Sequence, residues 1–197
     1  MSEDDSVELL SSALTQLTRL VADVAPDQRS APTPCAGWDV ATLVDHVHGD
    51  ISHYIVAAQG GRPDWGAQVD HIGDEWVAEA SAAAETLLAA WRAADLDTTV
   101  PAMGGTWPLH RVADQQTTEF AIHAWDLARA TGRSVALDPR VGERALAFGR
   151  DMLRPEFRGP EGSGKAFGLE VPVESQAPVY DRLAGWFGRH PDWRPGG

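Results

Sequence analysis

The stretch QQTTEFAIHAWD, residues Gln115–Asp126, carries the strongest signal for both the architecture and the chemistry of this chain. Glu119 and His123 are four residues apart, so a helix places their side chains next to each other on one face. A helical wheel extends that face into a polar row, which indicates a lined cavity, although a polar row on a solvent-facing helix would be unremarkable. We predict a helix over about Arg111 to Ala130, on which a carboxylate and an imidazole can bind one metal ion.

A third ligand for the same ion is available in His46. It ends the stretch GWDVATLVDH, residues Gly37–His46, which the apolar spacing assigns to a separate helix. Catalytic zinc sites typically use three protein ligands and keep one position for water or substrate, whereas structural sites are closed by four ligands. A set of two histidines and one glutamate therefore favours an open site.

The helical wheel leaves the orientation of His46 undecided, because His46 lies opposite the apolar stripe of its helix. Asp50 and His53 share its face, four and seven residues further on, and are either alternative ligands or partners that orient an imidazole. Asp126, Asp50 and His53 are the candidates for orienting groups or moving protons in catalysis. His48, at the margin of the stripe, is more typical of a hydrogen-bonded structural histidine.

Three further helices are predicted ahead of the central one. The first has apolar residues at alternating spacings of three and four and ends before Pro26. The second runs from about Asp39 to Ala58 and is followed by a breaker, Gly60. The third is rich in alanine, which favours helix formation, and begins near Gly66. Their apolar seams are Val7, Leu10, Leu14, Leu17, Val21 and Val24; then Val40, Val44, Val47, Ile51 and Ile55; then Trp76, Ala80, Ala83, Leu87 and Trp91.

The remaining sequence predicts a short connection and two more helices. The segment Thr98–Leu109 contains the pair Gly104-Gly105 between extended, proline-bearing stretches, which indicates a hairpin or a loop. Gly132 is the natural end of the central helix. Helices are expected over Pro139–Leu153 and Pro178–Gly188, separated by a loop rich in glycine and proline.

These elements predict an all-α fold. Its core is a four-helix bundle over about residues 5–132, with the short hairpin or loop as an insertion, and a helical extension follows over about 133–197. No linker or internal repeat divides the sequence, so we expect a single domain over residues 1–197. Bundles of this kind build metal sites from inward side chains of facing helices.

Composition narrows the class of protein. The length of 197 residues with 43% hydrophobic and 23% charged residues is typical of an ordinary globular domain. A formal net charge of -13 opposes binding to nucleic acid or to an anionic membrane surface. No apolar run approaches the roughly 20 residues of a membrane-spanning helix. The single cysteine and the acidic start, Met1–Asp5, point to the cytoplasm.

Other motifs carry less weight. The segment Gly159–Lys165 fits the first part of a phosphate-binding loop, but Ala166 stands where a Ser or Thr hydroxyl is needed, so we predict an ordinary loop. Cys35 precedes a helix start, where a thiol pKa can fall, but an inert cysteine is the more common case. We assign Trp38, Trp76, Trp91 and Trp125 to the core, with Trp107 or Trp125 as a candidate substrate contact.

Several of these segments together resemble a known family. They are TPCAGWDV (33–40) followed by His46, EFAIHAWDLARATG (119–132), and the tail segments VPV (171–173), AP (177–178), DRL (181–183) and GRHPDW (188–193). The sequence is similar over nearly its whole length to the mycothiol-dependent maleylpyruvate isomerase group of the DinB-like superfamily, and its tail resembles that of short actinobacterial metal-binding members. The resemblance implies a DinB-like four-helix bundle with a divalent metal, usually zinc, bound by His46, Glu119 and His123.

The resemblance also implies a reaction class. The metal would hold the sulfur of mycothiol, or of another low-molecular-weight thiol, as a thiolate that attacks an electrophilic carbon, in an isomerase or a thiol transferase. Isomerases of the group carry an additional C-terminal α/β domain, where this sequence has a short tail, so the resemblance speaks more directly for the metal site than for maleylpyruvate. Expected partners are the thiol, a small-molecule electrophile and a second copy in a homodimer. The alternatives are a metal-dependent hydrolase that activates water, a non-catalytic metal-binding stress protein, and a purely structural bundle.

Overall fold

A computed structural model of the protein describes residues 4–64, 71–102, 105–133, 136–160 and 162–196. Within these ranges the chain forms six α-helices, one β-hairpin and two short 3-10 turns, at Pro26–Gln28 and Pro155–Phe157. The helices are α1 (Asp4–Ala22), α2 (Val40–Ala58), α3 (Trp76–Ala93), α4 (Leu109–Thr131), α5 (Pro139–Met152) and α6 (Val179–Trp186), and the strands are β1 (Thr99–Ala102) and β2 (Gly105–Pro108). Gly104, which we place in the hairpin turn, lies outside the described residues, as does Gly66. The third helix does not start near Gly66 as we expect: residues 71–75 are not helical, and the helix begins at Trp76.

Helix α4 is the central element, because α1, α2 and α5 all pack against it. Even its polar Thr117 and Thr118 are buried, and each hydroxyl donates a hydrogen bond of 2.8 Å to the backbone carbonyl four residues earlier. Such local bonds allow hydroxyls to be buried without an unsatisfied donor. Gly132 ends the helix in the left-handed conformation, with φ of 66°, as the sequence predicts.

The bundle formed by α1 to α4 confirms the predicted fold class. The α1 seam is buried at Leu10, Leu14 and Leu17. Helix α2 begins one residue after Asp39, whose side chain caps it by accepting a hydrogen bond of 2.8 Å from the Thr42 backbone N–H. The hairpin of β1 and β2 bridges α3 and α4, and α5 and α6 form the additional C-terminal helices.

The C-terminal segment is attached to the outside of α4. Asp181 on α6 accepts hydrogen bonds from Trp125 Nε1 at 3.1 Å and from Arg129 Nη2 at 2.8 Å.

The loop before α6 contains the segment with partial similarity to a phosphate-binding motif. The Gly159 N–H donates a hydrogen bond of 3.0 Å to the Phe167 carbonyl. The described residues around this segment do not form the strand, loop and helix of a phosphate-binding motif. Among the described residues, no helix has the length and apolar character needed to cross a membrane.

Candidate metal centre

Three potential metal-binding side chains converge where α2 faces α4. Oε1 of Glu119 lies 3.1 Å from Nε2 of His46 and 3.0 Å from Nε2 of His123. One ligand atom from each of the three residues lies within 4.8 Å of the other two. Ligand atoms at tetrahedral angles around a centre with bonds of about 2.0–2.1 Å are about 3.3 Å apart. The spacing and the donor set therefore suit a divalent cation such as zinc.

Helix pairing resolves the orientation of His46. The stripe of Val44, Val47 and Ile51 is buried in the core, while His46 projects from the edge of α2 towards α4 with 30% of its side chain exposed. Helix α2 is also buried at Leu43, on the face that His46 shares. The apolar stripe and the histidine can therefore both face protein, which the wheel alone did not decide.

The electrostatics of Glu119 and His123 favour opposite charges on these two side chains. Burial opposes ionisation of Glu119, but hydrogen bonds with His123 and His46 outweigh it and hold the pKa of this carboxyl well below its usual range. Burial also disfavours a charged His123, yet its hydrogen bonds to Asp126, Cys35 and Glu119 raise the pKa of the imidazole. A metal ion bound by these two side chains would displace the proton that His123 shares with Glu119, because metal binding to histidine requires the neutral imidazole.

His123 is oriented from behind by Asp126. Oδ2 of Asp126 lies 3.1 Å from Nδ1 of His123, on the opposite side of the ring from Glu119. Asp126 is fully buried, which raises its pKa, but the charge of Arg189 and the bond to His123 outweigh burial and bring the pKa to about 2. A carboxylate that accepts the second N–H of a histidine fixes its tautomer, as is usual for metal-binding histidines.

Of the other candidates from the sequence, Asp50 lies beside His46, and His53 is buried near Asp50. Oδ2 of Asp50 is 3.6 Å from Nε2 of His46, the atom that also faces Glu119. Burial raises the pKa of Asp50, and the nearby Glu119 charge adds to this effect against the opposing influence of the histidines. His53 is buried, and its charge interaction with Asp50 is one of those that lower the pKa of that carboxyl. His48 is half-buried, and its Nδ1 is buried without a hydrogen-bond partner among the described residues.

The loop between α1 and α2 covers one side of the centre. Thr33 organises this loop, because its backbone N–H and its hydroxyl both donate hydrogen bonds to the Trp38 carbonyl, at 3.0 and 2.9 Å. The Trp38 ring is thereby held 4.8 Å from the His46 ring and 6.2 Å from the His123 ring, centroid to centroid. The sequence assigns Trp38 to the core, and its side chain does pack against the core, but it is only half-buried and also forms a wall of the site.

The remaining tryptophans hold elements together. Trp76, Trp91 and Trp125 are buried as predicted. The Trp125 indole donates to Asp181, and Trp107 on β2 packs edge-on against Phe148. These contacts give neither Trp125 nor Trp107 a place against the three converging side chains.

Cys35 belongs to a second cluster behind His123. Its Sγ lies 3.1 Å from Oδ2 of Asp126, 3.0 Å from Nη2 of Arg189 and 4.0 Å from Nδ1 of His123. Cys35, His123 and Asp126 also have the proximity of a metal-binding set. The guanidinium of Arg189 already supplies the positive charge there, so this cluster is better suited to supporting His123 than to binding a second ion. Arg189 is a residue that the sequence analysis missed, since it lies in an irregular tail and follows no periodic pattern.

Comparison with known proteins places these residues in a family. The family model described as the mycothiol maleylpyruvate isomerase N-terminal domain matches residues 10–128. Two uncharacterized proteins of Mycobacterium tuberculosis, Rv0738 and MT0763, are each 36% identical over 182 residues, which is 86% of this chain and 90% of theirs. Crystal structures of the mycothiol-dependent maleylpyruvate isomerase and of a mutant of it share the fold, with TM-scores of 0.60 and 0.58 at 16% and 15% identity. Each alignment covers 80% of this chain and 71% of the other.

Proposed function

The chain belongs to the family of the mycothiol maleylpyruvate isomerase N-terminal domain, and from this premise we propose that it is a divalent-metal-binding enzyme that uses a low-molecular-weight thiol, in the first place mycothiol, as an isomerase or thiol transferase. The observation that carries the proposal is the convergence of His46, Glu119 and His123 on a common point, because all three lie within the matched residues 10–128. Zinc is the metal that this ligand set favours.

Each of the three ligands has a distinct task in this proposal. His46 and His123 would each present Nε2, and Glu119 would present Oε1, so the protein would contribute one negative charge and two neutral imidazoles. When bound, a divalent cation supplies Lewis-acid stabilisation of a sulfur anion, so that a thiol is held as thiolate near neutral pH. Three ligands from the protein leave one position for that sulfur.

The residues around the ligands would shape the reaction space. Trp38 lies beside both histidine rings and would limit the access of water from that side. Asp50 has 23% of its side chain exposed and lies at the rim beside His46, so it can hold a proton for delivery to a reacting molecule, and its raised pKa favours that form. Asp126 would orient His123. In this proposal the thiol would add to an electrophilic carbon. Its later loss would complete an isomerisation, and its retention would complete a thiol transfer.

Metal analysis tests the ligand set. The purified protein should contain one divalent ion per chain, and His46→Ala, Glu119→Ala and His123→Ala should each lose most of it. His190→Ala is a matched control, because His190 is exposed in the tail. Occupancy that stays unchanged in one of the three variants would remove that residue from the proposed ligand set.

Thiol binding tests the cofactor. Isothermal titration of the zinc-loaded protein with mycothiol should show binding that the zinc-free protein lacks, and activity towards electrophilic substrates should require the thiol. Hydrolysis of amides without added thiol would instead indicate the water-activating hydrolase. Stoichiometric zinc without affinity for any small thiol would indicate a non-catalytic metal-binding protein.

A further inference from the structure

We propose that Arg189 is a positioning residue of the metal centre: it holds the Asp126 carboxylate, which in turn fixes the His123 ring with Nε2 towards Glu119. The inference rests on the proposed function, since it gives Arg189 this task only if His123 is a metal ligand. It adds the C-terminal tail to a centre whose proposed ligands come from α2 and α4 and which the loop before α2 covers. Arg189 lies outside the residues matched by the family model, which end at 128.

The contact between Arg189 and Asp126 is two-pronged. Nε of Arg189 lies 3.3 Å from Oδ1, and Nη2 lies 3.0 Å from Oδ2. A planar guanidinium that contacts both oxygens defines the plane of the carboxylate as well as its position, which a point charge does not do. Oδ2 is the same oxygen that lies 3.1 Å from Nδ1 of His123. The orientation set by Arg189 is therefore passed directly to the ring.

Burial makes Asp126 dependent on this partner. Its side chain is 0% exposed and that of Arg189 is 13% exposed, so little solvent can replace either charge. Removing one member of a buried ion pair leaves the other charge uncompensated, which is strongly unfavourable. Without the guanidinium we expect the Asp126 carboxylate to turn or to admit water, and in both cases the acceptor for Nδ1 moves.

Local backbone geometry explains how the tail delivers Arg189. After α6, the N–H of Gly188 bonds to the Gly185 carbonyl at 3.0 Å, and the N–H of Arg189 bonds to the Ala184 carbonyl at 2.8 Å. This pair of bonds, with Gly188 at φ of 83°, is the Schellman helix ending. Gly188 also rests on the backbone of Gly168: a Cβ added at 188 would lie 2.7 Å from the Gly168 Cα. The turn thus reverses the chain against a fixed support and directs Arg189 back to α4.

Cys35 completes the cluster from the side of the covering loop. Its Sγ contacts both Nη2 of Arg189 and Oδ2 of Asp126. Arg189 therefore contacts α4 and the loop that carries Trp38 at the same time. Since the Trp38 ring lies against His46 and His123, displacement of Arg189 is expected to loosen the support of both histidines from two directions.

The test compares zinc affinity in variants that keep or lose the two-pronged contact. Arg189→Gln should raise the zinc Kd, measured by competition with a chromophoric chelator, by about 10- to 100-fold, the usual effect of losing a partner behind a metal ligand. Arg189→Lys retains the charge but cannot bridge both oxygens, so its Kd should lie between those of wild type and Arg189→Gln. Arg129→Gln is the matched control, because it also loses an ion pair, with Asp181, that ties α4 to the C-terminal segment. Among the described residues the Arg129 guanidinium contacts Asp181 and Trp125, which are not proposed ligands, so its Kd should stay at the wild-type value.

A second readout reports on the ring itself. Long-range proton–nitrogen NMR spectra of the zinc-loaded wild-type protein should show a proton on Nδ1 of His123 that exchanges slowly with water. In Arg189→Gln the signal of this proton should be lost, because the proton exchanges faster. Wild-type Kd and wild-type His123 signals in a folded Arg189→Gln protein would overturn the proposal. If Arg189→Gln does not fold by circular dichroism, Arg189→Lys decides, and a wild-type Kd there overturns it. A wild-type protein that binds no zinc would refute the proposed function itself, a separate outcome visible before any Arg189 variant is made.

Discussion

Zinc binding should raise the Tm of the protein, because the three proposed ligands come together only in the folded chain. His46 and Glu119 are separated by 73 residues in sequence and are brought together by the packing of α2 on α4. The unfolded chain cannot present the three proposed ligands together, so a zinc ion would bind the native state preferentially and stabilise it by mass action. At free zinc about 1,000-fold above Kd the stabilisation is about 4 kcal/mol. For a chain of this length each kcal/mol corresponds to about 2–4 °C, so we expect a rise in Tm of about 8–16 °C.

Differential scanning calorimetry, with zinc and with a chelator, measures this shift. Glu119→Gln is the most informative variant, because it keeps the size of the side chain and removes the carboxylate whose Oε1 lies near both imidazole nitrogens. It should lose most of the zinc-dependent shift. Glu85→Gln, on the exposed side of α3, should keep the full shift. An undiminished shift in Glu119→Gln would mean that zinc stabilises the protein elsewhere, and the same Tm for wild type with and without zinc would contradict binding at the centre.

Three further perturbations have defined outcomes. Asp50→Asn should lower thiol-dependent turnover by about 100-fold, as expected for loss of a proton-transfer group, with zinc content unchanged by metal analysis. Trp91→Phe should cost about 1–3 kcal/mol in urea unfolding, because it removes the 2.7 Å bond to the fully buried Gln116, and adding Gln116→Leu should recover most of that loss. Asp138→Ala should cost about 1 kcal/mol by removing the N-cap of α5. Hydrogen bonds from Arg140 lower the pKa of Asp138, so its ionised form stabilises the fold at pH values above the unfolded pKa of this carboxyl. The difference in free energy of unfolding between wild type and Asp138→Asn should therefore shrink as the pH falls through the folded pKa of Asp138.

The helices were predictable because their apolar residues follow the helical period. The second helix was expected over Asp39 to Ala58 and is observed over Val40–Ala58, with Asp39 as its cap. The central helix begins at Leu109, two residues before the predicted start at Arg111, which is the usual uncertainty of a helix end. The family resemblance is confirmed by the match over residues 10–128, which includes the segment 33–40, His46 and most of 119–132, whereas the tail segments that also carried it lie beyond the match.

Trp38 shows where sequence reasoning failed. A large aromatic residue next to a helix start is most often a core residue, and nothing in its spacing distinguishes a core position from a wall of a site. Its place beside the histidine rings results from the turn closed by Thr33, which is a tertiary arrangement of a short irregular loop. Patterns of period 3.6 carry no information about such loops.

The residues of the centre differ in predictability according to the level of structure that positions them. Glu119, His123 and Asp126 are related by one helix, so their spacing alone places them on one face. His46 needs the pairing of two helices, and its face could not be chosen because α2 is buried on more than one side. Arg189 lies 63 residues beyond Asp126 and reaches it only through the turn at Gly188. In the proposed centre the tail would act through Asp126 and supply no ligand, so loss of the Arg189 contact should adjust the affinity for the metal, whereas loss of His46, Glu119 or His123 should abolish it.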